Sequence, residues 1–312
     1  MAAEKEDKRQ TRVFLWAWPR SISTAVEKCL SFVEGVQTWH EPYTVPHIFE
    51  LLDKAEKGKE SSEVTAMMTQ YKEMMLNAGK EPNEFSNSRF MPISKFNYPF
   101  VKDQLEQEEP GKQYIFIKDM AATILNHMDA LPDVPSRHTF IIRHPYRCLV
   151  SQRKMFLRML NYQGDPDQFD MFSSSPMLSQ GYYSPDAMYL VWKNVQETGK
   201  DPNPIVIDAE DIMNHPDKIL PKYLEKLGIP FHEKYLTWDE SEDSLQTWKG
   251  ALEQVIIGKR LGVFDTAFKS SRFLPNTHSP PAKKDLSPDI MKMADTLLPG
   301  YEEMFKNRIK PE

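Results

Sequence analysis

A basic residue and three hydroxyl side chains follow directly after a short apolar run near the start of the chain. The apolar run covers residues 13–18, and Pro19 ends it. A helical pattern begins at Ile22, so the polar side chains lie at a turn between a strand and a helix; they are Arg20, Ser21, Ser23 and Thr24. The first N–H groups of a helix have no partner within it, and the helix dipole favours an anion there. These residues therefore predict a phosphate site.

Three more pairs of ionisable residues stand where predicted strands end. They are His40-Glu41, Lys118-Asp119 and Arg143-His144. Parallel sheets bind ligands at the carboxyl ends of their strands. We therefore expect these pairs to meet the first turn around one ligand.

The elements that must position these residues alternate between strand and helix. Apolar runs predict strands over residues 13–18, 36–39, 114–117, 139–142 and 205–207. Helical patterns cover residues 22–32, 45–54, 62–76, 146–160, 185–197, 216–227 and 287–307. This alternation predicts an α/β fold with a mainly parallel central sheet and helices on both of its faces.

Composition restricts the class of protein. The 312 residues are 40% hydrophobic and carry a net charge of −6 with no dense basic tract, so we expect no nucleic-acid partner. The two cysteines, Cys29 and Cys148, lack disulfide or metal spacing and are interpreted as core residues. No apolar run reaches about 18 residues, so we expect no membrane span and a cytoplasmic location. We expect residues 1–11 to be a disordered tail and residues 12–312 to form a single domain.

The first turn is not a Walker A loop, because the spacing G-x-x-x-x-G-K-[ST] is absent and the turn contains no glycine. A divergent P-loop kinase is therefore disfavoured. The turn resembles the 5′-phosphosulfate loop of sulfotransferases, which commonly runs basic residue, Ser, Gly, Ser/Thr, Thr. By position, the resemblance implies that Arg20, Ser21, Ser23 and Thr24 hold the 5′ phosphate and the sulfuryl group. Ile22 stands where the family usually has glycine, within the same cofactor-binding loop.

A second segment, residues 142–151, resembles the 3′-phosphate signature of the same family. Arg143 leaves the strand and Ser151 follows eight residues later, so both side chains can reach one phosphate. Residues 205–230 resemble a third family segment, in which a strand and a Glu-Asp element precede a helix that starts at Pro216 and ends before Gly228. We interpret that segment as structural.

Together these segments resemble a divergent soluble sulfotransferase that uses 3′-phosphoadenosine 5′-phosphosulfate (PAPS) as sulfuryl donor and needs no metal. The resemblance implies a P-loop-like sulfotransferase architecture and transfer to a hydroxyl or amine of a small acceptor, which we expect to be partly apolar and hydroxylated. Segments 85–100 and 155–183 are predicted to form the walls and lid of its pocket. The oligomeric state stays open.

The general base is the least defined part of the predicted site. The family's Lys-Thr-His segment is replaced here by Lys118-Asp119-Met120, so its histidine is missing. Other branches use a Glu shortly after the first helix, which Glu41 matches. Glu41 is the first candidate, Asp119 the second and His40 the third, while Arg20 and Lys118 are candidates to neutralise the leaving group.

Two C-terminal segments compete to close over the 3′ phosphate. One contains Lys249 and Gly250, and the other is Lys269-Ser270-Ser271-Arg272. The departures at Ile22 and Met120 also leave a second function open, that of a catalytically inactive nucleotide-binding protein of the same fold.

Overall fold

The strands form one parallel sheet of seven in the part of the chain that the computed structural model describes, residues 10–58, 62–80, 85, 89–159, 162–174, 184, 186–276 and 278–312. In chain order they are β1 Thr11–Ala17, β2 Val36–His40, β3 Arg89–Met91, β4 Tyr114–Met120, β5 Ser136–Ile142, β6 Ile205–Asp208 and β7 Lys249–Ala251. Their order in the sheet is β3-β7-β2-β4-β1-β5-β6, and each neighbouring pair is parallel.

Side chains of β1 alternate between two apolar cores, one on each face of the sheet. Phe14 and Trp16 belong to the larger core, whereas Val13 and Leu15 belong to the smaller one, and all four are fully buried. A sheet that is covered on both faces is what parallel strands require. The predicted α/β class is therefore confirmed.

The helices follow the strands as the sequence pattern predicts. They are α1 Ser23–Ser31, α2 Thr44–Lys57, α3 Ser62–Asn77, α4 Tyr98–Glu106, α5 Pro145–Met159, α6 Met171–Ser174, α7 Ala187–Glu197, α8 Ala209–Asn214, α9 Pro216–Leu227, α10 Leu252–Arg260, α11 Asp265–Phe268 and α12 Pro288–Lys306. Gly228 ends α9 with a φ of 73°, the left-handed conformation that a glycine adopts without strain.

Seven elements were not predicted: β3, β7, α4, α6, α8, α10 and α11. The two strands have three residues each, which is too short for a periodic pattern. Helix α4 begins at the end of the predicted pocket-wall segment 85–100, where Asn97 accepts a hydrogen bond from the N–H of Phe100 (2.9 Å) and so caps its first turn.

Some predicted features lie outside the described residues. They include most of the N-terminal tail (residues 1–9) and parts of the predicted pocket walls (residues 86–88, 160–161 and 175–183). Within the described ranges, no helix is long and apolar enough to cross a membrane. Cys29 and Cys148 are both buried thiols, and burial raises the pKa of Cys148 to about 12.

Candidate functional site

A cavity of about 530 Å³ opens at the carboxyl ends of β1, β2, β4 and β5. The chain changes direction across the sheet here, since β1 has β4 on one side and β5 on the other. Predicted site residues that line the cavity are Arg20, Ile22, Ser23, Thr24, Glu41, Lys118, Arg143 and Ser151. The structure therefore brings together residues that are far apart in the sequence.

The first turn has a strained backbone. Ile22, which immediately precedes α1, has a φ of 61° and Arg20 has a φ of 70°. A β-branched residue rarely adopts this left-handed conformation, which costs about 1–2 kcal/mol outside glycine. The turn thus keeps at Ile22 the backbone shape that glycine adopts easily, although the residue is isoleucine. No side-chain hydrogen bond from the described residues caps α1 at Ile22.

Ser21 differs from its neighbours in the turn. Its side chain is fully buried, and its hydroxyl donates to the carbonyl oxygen of Trp18 (2.7 Å). Ser23 and Thr24 line the cavity, but Ser21 does not. The Ser21 hydroxyl therefore holds the turn closed, and its contact with a phosphate stays a prediction.

Direct hydrogen bonds join the two predicted phosphate motifs. The Nε of Arg20 donates to the Oγ of Ser151 (3.2 Å), and the Nη1 of Arg143 donates to the carbonyl oxygen of Arg20 (2.9 Å). Arg143 is mostly buried, with 14% of its side chain exposed. Two guanidinium groups and one hydroxyl therefore stand beside the start of α1.

Glu210 pairs with the arginine side chains of the second motif. The Nε of Arg143 donates to its Oε1 (2.9 Å), and the Nε of Arg147 lies 3.3 Å from the same oxygen. Glu210 is at the start of α8, where Asp208 accepts hydrogen bonds from the N–H groups of Glu210 and Asp211. The third motif, interpreted as structural, thus also orients Arg143.

Glu41 and Lys118 form an ion pair on the other side of β1. The Nζ of Lys118 donates to one oxygen of Glu41, and the Nε2 of Gln254 donates to the other (2.8 Å). Burial raises the pKa of Glu41. The charge of Lys118, a smaller contribution from His40 and the two hydrogen bonds lower it by more, so the pKa lies below its ordinary value. Glu41 is therefore a carboxylate at neutral pH. Gln254 lies on α10, where no motif pointed to it.

The pKa of Lys118 responds in the opposite direction. Burial lowers it, whereas the charges of Glu41 and Glu27 and the hydrogen bond to Glu41 raise it by more. The lysine is therefore a cation that stands 3% exposed in the cavity wall. Glu41 itself has a φ of 45°, so the third strained non-glycine residue of the described chain is also in this site.

Asp119 faces away from the cavity. Its carboxylate accepts hydrogen bonds from the N–H of Tyr43 (2.6 Å), the hydroxyl of Thr44 (2.8 Å) and the N–H of Met120 (2.8 Å). Burial and the charge of Glu41 raise the pKa of Asp119 to about 7, although the hydrogen bonds oppose this. These contacts join the end of β4 to the start of α2. This placement does not support Asp119 as a base, because its carboxyl does not line the cavity.

His40, the third candidate, is fully buried. Its Nδ1 lies 2.9 Å from the Oε2 of Glu27, and its ring packs between Trp248 and Phe264. His40 does not line the cavity. Of the three candidates, Glu41 alone lines the cavity.

The two predicted C-terminal segments differ in whether they line the cavity. Lys249 and Gly250 belong to β7, where Lys249 pairs with Glu109, and neither lines the cavity. Their role beside a nucleotide stays a prediction, and their placement in β7 does not support it. Ser270 and Arg272 do line the cavity, and Arg272 is exposed at its edge.

Lys28 fixes this second segment to α1. The side chain is fully buried, and its Nζ lies 3.4, 3.0 and 3.1 Å from the carbonyl oxygens of Ala267, Phe268 and Ser270. An ammonium group at the end of a short helix satisfies carbonyls that have no partner within it. No group of three or more potential metal ligands occurs among the described residues.

The chain resembles known proteins only distantly. No model of a known protein family matches the chain, and no curated protein matches it. Among solved structures, the sulfotransferase domain from the curacin biosynthetic pathway aligns with 93% of this chain and 98% of its own length, at 14% identity and a TM-score of 0.43. The sulfotransferase domain of the Synechococcus olefin synthase aligns with 93% of this chain and 94% of its own, at 17% identity and a TM-score of 0.43. At such distances the function has to be argued from this chain's own residues.

Proposed function

We propose that the protein is a PAPS-dependent sulfotransferase that sulfates a hydroxyl or amine of a small, partly apolar acceptor. The observation that carries this proposal is the contact between the two phosphate motifs, in which Arg20 bonds Ser151 and Arg143 bonds Arg20. A donor with phosphates at two positions needs two anion sites in one cavity. The start of α1 supplies one, and Arg143 with Ser151 supplies the other.

The cavity offers a direction for the transfer. Donor residues follow β1 and β5, whereas Glu41 follows β2 and Lys118 belongs to β4, on the other side of β1. A sulfuryl group at the first turn then lies between the leaving 5′ phosphate and an acceptor next to Glu41. Holding three groups in line in this way is a large part of such catalysis.

The step is a substitution at sulfur. The acceptor oxygen or nitrogen forms a bond to sulfur, the bond from sulfur to the bridging phosphate oxygen breaks, and its electron pair stays on the departing adenosine 3′,5′-bisphosphate. The acceptor proton passes to Glu41. Lys118 and Arg20 stabilise the negative charge that develops on the bridging oxygen.

Lys118 has two uses in this scheme. Without donor it pairs with Glu41 and keeps the pKa of that carboxyl low, which makes Glu41 a weak base. A donor whose bridging oxygen draws Lys118 away raises the basicity of Glu41 when the acceptor is present. We assign to Arg272 the predicted C-terminal contact with the 3′ phosphate.

Two substitutions separate binding from turnover. Arg143→Ala removes the cation of the 3′ site, so we expect calorimetric binding of adenosine 3′,5′-bisphosphate to weaken at least a hundredfold. Glu41→Gln keeps the size of the side chain but removes the base, so nucleotide affinity stays within about threefold while transfer from labelled PAPS falls at least a hundredfold. Arg137→Ala is the control, because Arg137 lies at the opposite end of β5 and pairs with Asp201 (3.2 Å).

Retention of near-normal turnover by Glu41→Gln contradicts the base assignment. Normal nucleotide affinity in Arg143→Ala contradicts the donor site itself.

One observation favours a second function, that of an inactive nucleotide-binding protein. Both oxygens of Glu41 already accept hydrogen bonds, from Lys118 and Gln254. Binding of adenosine 3′,5′-bisphosphate without sulfate transfer to a broad panel of alcohols and amines distinguishes this function from the first.

A further inference from the structure

Part of the cavity that contains Glu41 and Lys118 is lined by buried apolar side chains. Its walls come from α2, α3, α5 and α10 and from the end of β4. The residues are Ile48, Met75, Met120, Met155, Phe156 and Ile257. Each is less than a tenth exposed. We call this group the methionine recess.

Polar groups next to the recess already have hydrogen-bond partners within the protein. Lys118 and Gln254 bond Glu41, and the hydroxyl of Thr44 donates to Asp119. Among the described cavity residues of α2, α3, α5 and α10 and of the ends of β2 and β4, the Glu41–Lys118 pair is the charge that remains for a substrate. A second charged group on the acceptor has no counter-ion in these walls, and burying an unpaired polar group is unfavourable.

The wall chemistry also suits a flexible chain. Three of the six lining residues are methionines, whose unbranched side chains adapt to irregular shapes. Phe156 is the one aromatic ring of the six, which is little surface for stacking a planar ring system.

We propose that the acceptor is an uncharged aliphatic alcohol whose chain lies in the methionine recess with its hydroxyl at Glu41. This inference rests on the proposed sulfuryl transfer and names its acceptor class. The hydroxyl is the single polar group of such a molecule, and it contacts the Glu41–Lys118 ion pair. Transfer then produces an alkyl sulfate and adenosine 3′,5′-bisphosphate, with the hydroxyl proton on Glu41.

A series of straight-chain primary alcohols from butanol to decanol, assayed with labelled PAPS, tests this. Each CH₂ that moves from water into the recess is expected to raise kcat/KM about fourfold until the recess is full. Met75→Phe narrows the recess, so the ratio of kcat/KM for decanol to that for butanol should fall at least fourfold. Met304→Phe is the matched control, since Met304 is equally buried but lies outside the cavity. The ratio is independent of the fraction of each variant that folds.

The outcomes separate this inference from the proposed function. Transfer that is independent of chain length, or that prefers sugars or charged acceptors, overturns the aliphatic acceptor and leaves the sulfotransferase assignment standing. Absence of transfer to every acceptor instead overturns the sulfotransferase assignment. In that case, tryptophan fluorescence of the wild-type protein titrated with the same alcohols decides the recess: affinity that rises with chain length supports it, and equal affinities overturn it.

Discussion

At the scale of single residues, strain is concentrated where the chemistry is proposed. Arg20, Ile22 and Glu41 are the non-glycine residues with positive φ in the described chain, and all three line one cavity. Such conformations persist only where the surrounding structure fixes them, and they occur frequently at functional sites. The sequence showed an isoleucine in place of a glycine, but it could not show that the backbone had kept the glycine conformation.

This strain can be measured at Ile22. Ile22→Ala and Ile22→Gly both remove the side chain, but only glycine relieves the positive φ, so the glycine variant should be more stable by about 1 kcal/mol in urea unfolding. Ala25→Gly, in the first turn of the same helix, is the control and should lose about 0.5–1 kcal/mol. An alanine variant as stable as the glycine variant at position 22 contradicts the strain.

The pKa of Asp119 leads to a second prediction at this scale. The folded chain holds a proton on Asp119 up to about pH 7, whereas an unfolded Asp releases it near pH 4. The folded state therefore binds more protons between these values, and this residue's contribution to stability falls as the pH rises from about 4 to about 7. Asp119→Asn should become steadily more stable relative to wild type over that range in urea unfolding. Parallel pH profiles of the two proteins contradict it.

At the scale of elements, α1 joins three parts of the site. Its start forms the first turn, Glu27 in its middle meets His40 at the end of β2, and Lys28 holds the carbonyls of the segment that carries Arg272. A polar side chain inside a helix is easily interpreted as exposed. Sequence pattern alone gives no sign that Lys28 is fully buried, because its partners are main-chain atoms about 240 residues away.

Lys28→Met tests the role of this helix. The substitution leaves buried carbonyls without a donor, so we expect a loss of at least about 1 kcal/mol in unfolding free energy. It should also weaken binding of adenosine 3′,5′-bisphosphate at least tenfold, because the segment with Arg272 is released. Lys222→Met is the control, since Lys222 also bonds main-chain carbonyls, at the C-terminus and far from the cavity. Equal nucleotide affinity in the two variants contradicts the role of Lys28.

At the scale of the whole molecule, the sequence predicted the other five strands of the sheet better than β3 and β7, which lie at one edge. Five apolar runs of β1, β2, β4, β5 and β6 were enough to predict a parallel sheet and the edge where its ligand binds. Strands β3 and β7 have no such run, and Lys249, which the family resemblance predicts at the nucleotide, lies in the sheet. Gln254 and Met75 reach the cavity only because helices far apart in sequence pack around it, and no local pattern records that.

The bridge that Glu210 makes between Arg143 and Arg147 has a consequence for binding in salt. A cluster of bare cations attracts dissolved anions, and a phosphate ligand must release them, which makes its affinity fall steeply with ionic strength. Here the protein carries its own counter-ion. Nucleotide affinity should therefore depend only weakly on salt, and abundant small anions should be poor competitors for the site.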